Sequence, residues 1–166
     1  MKLVLATQNP KKLKEMNEIL SHLGVEVVSE AELGVRIEVE ETGETFTDNA
    51  RLKATAVMQA TGLPAVADDS GLCVDALNGG PGVYSARFGG EGLDDKGRYT
   101  LLLEMLRGQT DRAAHFHTSI VCAFPNGDEL VCEGECPGTI AFAPMGEGGF
   151  GYDPVFFVPE LRKTFG

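Results

Sequence analysis

No apolar run in this chain approaches the roughly 20 residues that a membrane-spanning helix needs. Residues 1–6 are too short for the apolar segment of a secretory leader, so the expectation is a soluble, cytoplasmic protein. Cations are scarce. Fourteen Lys and Arg stand against 25 Asp and Glu, for a net charge of -11. Such a surface repels phosphate backbones, which excludes nucleic acid as a partner. A small anion is still admissible if a local cationic pocket or a divalent metal offsets the field. Cysteine is sparse too: Cys73, Cys122, Cys132 and Cys136, with no C-x-x-C pair. A chain of 166 residues, 43% of them hydrophobic, builds a core without disulfide staples. Buried or reduced thiols are expected, with a zinc pair from Cys132 and Cys136 as the alternative. There is no internal repeat, low-complexity tract or composition break, so one domain is expected over 1–166.

What is present is a regular alternation of strand and helix signals. "KLVLA" (2–6) reads as a buried strand, and Asn9-Pro10 as the cap and first turn of a helix. Leu13, Met16, Leu20 and Leu23 recur at helical spacing, Gly24 can end that helix, and "VEVVS" (25–29) reads as a second strand. Strand, helix, strand favours a parallel α/β arrangement. Residues 30–44 are acidic and irregular. A helix is predicted over 46–61, stopped by Gly62 and Pro64. The apolar run after Pro64 is broken by Asp68-Asp69-Ser70-Gly71, and "NGGPGVYSARFGG" (78–90) reads as an ordered glycine-rich loop. Residues 94–107 carry a helical face. "AAHFHTSIVCAF" (113–124) alternates, with Phe116, Thr118, Ile120, Cys122 and Phe124 on one face of a half-buried strand. Asn126-Gly127 signals a hairpin to a return strand, which makes the sheet mixed.

Four stretches could carry chemistry. The turn "TQNPKK" (7–12) gathers Lys11 and Lys12, with Lys14 just beyond, in a chain short of cations. A helix N-terminus with its positive dipole end suits phosphate. The plainer reading is a capped helix with solvated lysines, because this is not the glycine-rich Walker pattern. Glu38, Glu40, Glu41, Asp68 and Asp69 form the second group. An acidic doublet repels itself unless a cation sits beside it, and magnesium accepts a few carboxylates plus phosphate oxygens. Alternatively, Asp68-Asp69-Ser70-Gly71 makes an Asx-type turn. The third is "GEGGFGYDP" (146–154), where a planar base could slide against Phe150 or Tyr152 with Asp153 accepting a hydrogen bond, or where the rings pack inward. The fourth is His115 and His117, two apart on one strand face, for which the sequence offers no evident third metal ligand.

Taken together, "LATQNPKKLKE", "EETGETFTDNARLKA", "ADDSGLCVDALNGGPGVYSARF" and "GGFGYDPVFFVP" resemble the noncanonical purine nucleoside triphosphate pyrophosphatases, the inosine triphosphate pyrophosphatase family. The four motifs come in the family's order and run from near residue 3 to near residue 159. The resemblance implies an α/β fold with a long central mixed β-sheet flanked by helices, and a homodimer. It implies Mg2+-dependent hydrolysis of inosine, deoxyinosine and xanthosine triphosphates to monophosphate and pyrophosphate, which cleanses the nucleotide pool. Carried over residue by residue, Thr7, Gln8, Asn9, Pro10, Lys11 and Lys12 form the triphosphate-binding turn. Glu41 and Asp69 are the metal-binding acids, and Asp69 is also the catalytic base. Lys53 and Ser70 are further substrate contacts. Phe150, Gly151, Tyr152 and Asp153 form the base-side loop. Family members continue into a C-terminal helix preceded by a lysine and a Ser-His-Arg motif that read the purine. This sequence stops at "ELRKTFG", so that segment is expected to be missing, and a catalytically impaired nucleotide-binding module is the alternative function.

Overall fold

The computed structural model describes Met1–Gly166. Eight strands form one mixed sheet in the order β2-β1-β3-β5-β6-β7-β8, with β4 paired to β3. Their ranges are β1 Lys2–Leu5, β2 Glu26–Ser29, β3 Ala65–Val74, β4 Gly80–Pro81, β5 Ala113–Ala123, β6 Glu129–Ile140, β7 Phe156–Val158 and β8 Lys163–Thr164. Three helices accompany them: α1 Pro10–Ser21, α2 Phe46–Thr61 and α3 Asp95–Met105. None is long and apolar enough to cross a membrane. Strand β1 pairs in parallel with β2 and with β3, whereas β3–β4, β6–β7 and β7–β8 are antiparallel. The chain divides into two compact units, one of Met1–Asp69 with Thr118–Glu133, the other of Ser70–His117 with Gly134–Gly166.

In the first unit each helix is started by a side chain that the sequence marks. Asn9 Oδ1 accepts from Lys11 N at 3.0 Å and Lys12 N at 3.4 Å, ahead of Pro10. Leu13, Met16 and Leu20 then pack on Leu3, Leu5 and Val66. Helix α1 ends at Ser21, so Leu23 drops out of the apolar stripe and is exposed. Helix α2 spans the predicted 46–61. Thr45 Oγ1 caps it by accepting from Asp48 N at 3.1 Å, and Gly62 ends it with φ 69° and an N–H donated to Met58 O. Its inner face is small: Ala50, Ala54 and Val57 lie against Val4, Ala6, Ala65, Ala67, Val121 and Ala123. Short side chains on both partners let helix and sheet approach closely.

The second unit is centred on Leu72, Val74, Leu102, Leu106, Ile140, Val155 and Phe156, all fully buried or nearly so. Three sequence readings are corrected. The acidic doublet does not interrupt the apolar run: β3 continues through Asp68, Asp69, Ser70 and Gly71 to Val74. An Asx turn would leave those backbone groups outside the sheet, and pairing wins. The glycine-rich stretch after Asn78 is not all loop, since it supplies β4 and a 3-10 helix over Gly82–Arg87. Strand β5 is covered on both faces toward its end, where Ser119, Val121 and Ala123 are buried opposite Ile120 and Cys122. The four cysteines are free; Cys73 is buried and Cys132 exposed.

Candidate active site

Parallel pairing of β1 with β3 aligns Leu5 with Val66, which brings the turn after β1 and the acidic stretch of β3 into one unit. Successive side chains of a strand point to opposite faces. Val66 faces the α1 layer and Ala65 and Ala67 face the α2 layer. By the same alternation Asp68 turns to α1 and Asp69 to α2. Lys12 Nζ lies 2.8 Å from Asp68 Oδ2, an ion pair with both side chains mostly buried. Asn49 Nδ2 donates to Asp69 Oδ2 at 3.0 Å within the interior.

Lys53, one turn beyond Asn49 on α2, joins the two acidic segments. Its Nζ donates to the Asp68 carbonyl oxygen at 2.6 Å and lies 3.2 Å from Glu41 Oε1. Glu41 comes from the irregular segment before α2. Asn49 ties that segment down as well, because its Oδ1 accepts from Gly43 N at 2.7 Å. A Cβ on Gly43 would stand 2.7 Å from that same oxygen and 3.0 Å from Asn49 N, so the approach requires glycine. Asn49 is the residue that sequence reasoning missed. The glycine six residues earlier was its only local signal.

Asp69 is 6% exposed, and its carboxyl is pushed up to about 6. Burial is the main cause and the Glu41 charge adds to it. The Asn49 hydrogen bond, Lys53 and Lys12 oppose it. A buried carboxyl whose proton affinity is raised, with a second carboxylate and two lysines near it, suits a further cation or a proton transfer.

The turn itself lines a cavity of about 400 Å3, with Thr7, Gln8, Asn9 and Lys12 on one side and Glu30, Glu41 and Lys53 among the others. The cap engages the helix amides more fully than the sequence suggests. Lys11 N and Lys12 N donate to Asn9 Oδ1, Leu13 N donates to Asn9 O, and Pro10 has no N–H. A phosphate here would therefore meet the helix dipole and side chains rather than those amides. Thr7 Oγ1 accepts from Asn9 N at 3.2 Å, and Gln8 Nε2 reaches Ile37 O at 3.4 Å. Glu30, buried in the same cavity, has its carboxyl pushed up by burial and drawn back by Arg36.

Ser70 and Phe150–Asp153 belong to the second unit. Asp153 Oδ2 accepts from Phe150 N at 3.0 Å, and Gly151 N donates to Asp95 Oδ2 at 2.9 Å, so the loop is ordered from both sides. A Cβ on Gly149, at φ 71°, would run into the Asp153 carboxylate. Tyr152 takes the inward-packed alternative. Its ring is buried and its hydroxyl donates to Ser85 O at 2.7 Å. Burial pushes the phenol up to about 12, with Arg98 opposing and Asp95 adding to it. Phe150 is only half-buried.

A mixed eight-stranded sheet flanked by helices, with a capped lysine turn paired to a strand-borne acid, defines an α/β protein with lysines and carboxylates gathered at one cavity. Residues 3–166 match the Ham1 family, and the chain belongs to it. A dITP/XTP pyrophosphatase of Exiguobacterium sp. is 51% identical over 164 residues, covering 99% of this chain and 84% of that protein. One from Desulforamulus reducens is 54% identical over 167 residues, covering 99% and 83%. Among solved structures, a HAM1 protein from Coxiella burnetii has a TM-score of 0.92 at 44% identity, covering 99% of this chain and 85% of that one. The Staphylococcus aureus Ham1 protein has a TM-score of 0.90 at 42% identity, with the same coverage.

Proposed function

We propose that this chain hydrolyses noncanonical purine nucleoside triphosphates (dITP, ITP and XTP) to the monophosphate and pyrophosphate. The observation that carries this reading is the Lys12–Asp68 and Lys53–Glu41 pairs standing beside the high-affinity proton site of Asp69. The names of the Exiguobacterium and Desulforamulus relatives, at about half identity over nearly the whole chain, support the substrate class.

The carboxylates of Glu41 and Asp69 fit Mg2+, which takes hard oxygen donors and keeps phosphate oxygens and waters in its remaining positions. Their mutual repulsion is what a cation would relieve. When bound, magnesium would neutralise charge developing on the phosphate chain. The chain's own residues do the rest. Lys12 and Lys53 leave their carboxylate partners for phosphate oxygens, so substrate arrival releases the acids as it occupies the lysines. Thr7, Gln8 and Asn9 line the cavity beside Lys12, and Pro10 and Lys11, which do not line it, are assigned to the triphosphate through the family motif. Asp69, with a proton affinity near 6, is ionised at neutral pH yet basic enough to take a proton from the attacking water. Oxygen of that water bonds to the α-phosphorus, the bond to the bridging oxygen breaks, and pyrophosphate leaves. Ser70 and the loop of Phe150, Gly151, Tyr152 and Asp153 are assigned to the substrate through the family motif, with Phe150 supplying the ring for the base. A homodimer in the cytoplasm, with no nucleic-acid or membrane partner, completes the reading.

The test is product analysis with dITP and magnesium. Pyrophosphate and dIMP in equal amounts are expected. Inorganic phosphate would assign a different phosphatase, and binding without turnover would leave a nucleotide-binding module.

A further inference from the structure

Two histidines and a glutamate that the proposed hydrolysis does not use meet on one face of the neighbouring strands β5 and β6. His115 and His117 are separated by one residue, so both project from the same face. Phe116, between them, projects the other way and packs on Phe156 with ring centroids 4.5 Å apart. That anchor fixes the rotation of the strand and with it both imidazoles. Glu135 arrives from β6, 18 residues from His117 in sequence. Its Oε1 lies 3.1 Å from His117 Nδ1 and 3.8 Å from His115 Nε2. The three ligand atoms lie within 4.8 Å of one another. Cys136, next to Glu135, packs against the core of the second unit and is no part of the group.

A tetrahedral ion with bonds of about 2.0–2.1 Å holds neighbouring ligand atoms about 3.3–3.4 Å apart. The two histidine–glutamate distances bracket that value, so small rotamer adjustments bring the atoms into range. Two imidazoles and one carboxylate suit borderline divalent ions, whereas magnesium and calcium prefer all-oxygen sets. The side chains of His115 and His117 are 33% and 18% exposed, and that of Glu135 is 59% exposed, so an ion can enter and keep water in a fourth position. We propose that His115, His117 and Glu135 form a site for a divalent transition ion, zinc foremost, that clips β5 to β6. Its ligands include none of Lys12, Glu41, Lys53 or Asp69, so occupancy is independent of the hydrolytic reading.

The experiment is equilibrium dialysis of the whole chain against micromolar Zn2+ with magnesium in excess, so that all-oxygen sites are filled. One zinc per chain is expected, and Co2+ in its place should give the visible ligand-field bands of a tetrahedral site. His115→Ala/His117→Ala should lose both, and Glu135→Gln should weaken uptake, while Cys132→Ser/Cys136→Ser keeps them. Wild-type chain that takes up no zinc overturns the proposal. So does uptake undiminished in the double histidine variant, or uptake lost only in the cysteine variant. Should the double variant fail to fold, Glu135→Gln decides alone: it changes an exposed side chain, and unaltered uptake there is equally fatal.

Discussion

Asp69→Asn should make the folded chain more stable while abolishing turnover. In the folded state Asp69 keeps its proton up to about pH 6, against 3.8 for an ordinary aspartate. The folded value is the raised one, so the stability this carboxyl contributes is whole below about pH 4 and is lost as pH climbs to about 6. Above that, the ionised group is held buried at a constant cost. The gap between 3.8 and about 6, at about 1.4 kcal/mol per pH unit, amounts to about 3 kcal/mol. That value already includes the attractions of Lys12 and Lys53 and the Asn49 hydrogen bond. An asparagine is neutral throughout and its Oδ1 can still accept from Asn49. At neutral pH the variant should gain up to about 3 kcal/mol, or about 6–12 °C in Tm for a chain of this size. Thermal unfolding of both proteins with a chelator present, from about pH 4 to 8, reads the difference. It should be near zero at the acid end and level off above about pH 6. A variant less stable at neutral pH, or a difference flat with pH, would refute the account of Asp69. Magnesium added at neutral pH should raise the Tm of wild type and leave the variant unmoved.

Lys12→Ala should weaken triphosphate binding more than monophosphate binding by calorimetry, since the lost charge serves phosphates that the monophosphate lacks; equal weakening would move Lys12 away from the phosphate chain. Gly43→Ala should cost about 1–3 kcal/mol in urea unfolding and raise the magnesium requirement, because the new methyl meets Asn49 and displaces the segment carrying Glu41. Unchanged metal titration would separate Gly43 from the site. Tyr152→Phe should cost about 1–2 kcal/mol by leaving Ser85 O without its donor, with KM for the nucleotide little altered; a large rise in KM would give the hydroxyl a direct role with substrate.

Local signals reached the elements whose ends are set locally. Helix α2 has a threonine cap, a glycine stop and an apolar face in one window, and its limits agree with the sequence to the residue. The hairpin at Asn126-Gly127 closes as expected, with Gly127 N donated to Phe124 O at 3.0 Å. Strand β3 went the other way. Asp-Asp-Ser-Gly is a strong turn sequence, but Lys12, Asn49 and Lys53, 56, 20 and 15 residues away, compensate its charge and polar groups inside a sheet. No window around Asp69 contains them. The same limit hid Glu135 from His115 and His117, because a cross-strand partner is fixed by register rather than by nearby residues. Turn, lysines and acids were each visible as residue types. Their pairing, and the bridging by Asn49, required the fold.

Alternation along β3 gives Asp68 and Asp69 different duties although a single peptide bond joins them. The pairing of Leu5 with Val66 is what decides which acid receives which helix. Deleting or inserting one residue between Val66 and Asp68 would leave the composition of the chain almost untouched and exchange the two acids. The carboxylate now held by Lys12 would face Asn49, and the buried one would face the lysine turn. Length in this stretch therefore matters as much as the acids themselves: a substitution at Val66 or Ala67 leaves the facing of both carboxylates intact, whereas an insertion or deletion reverses it.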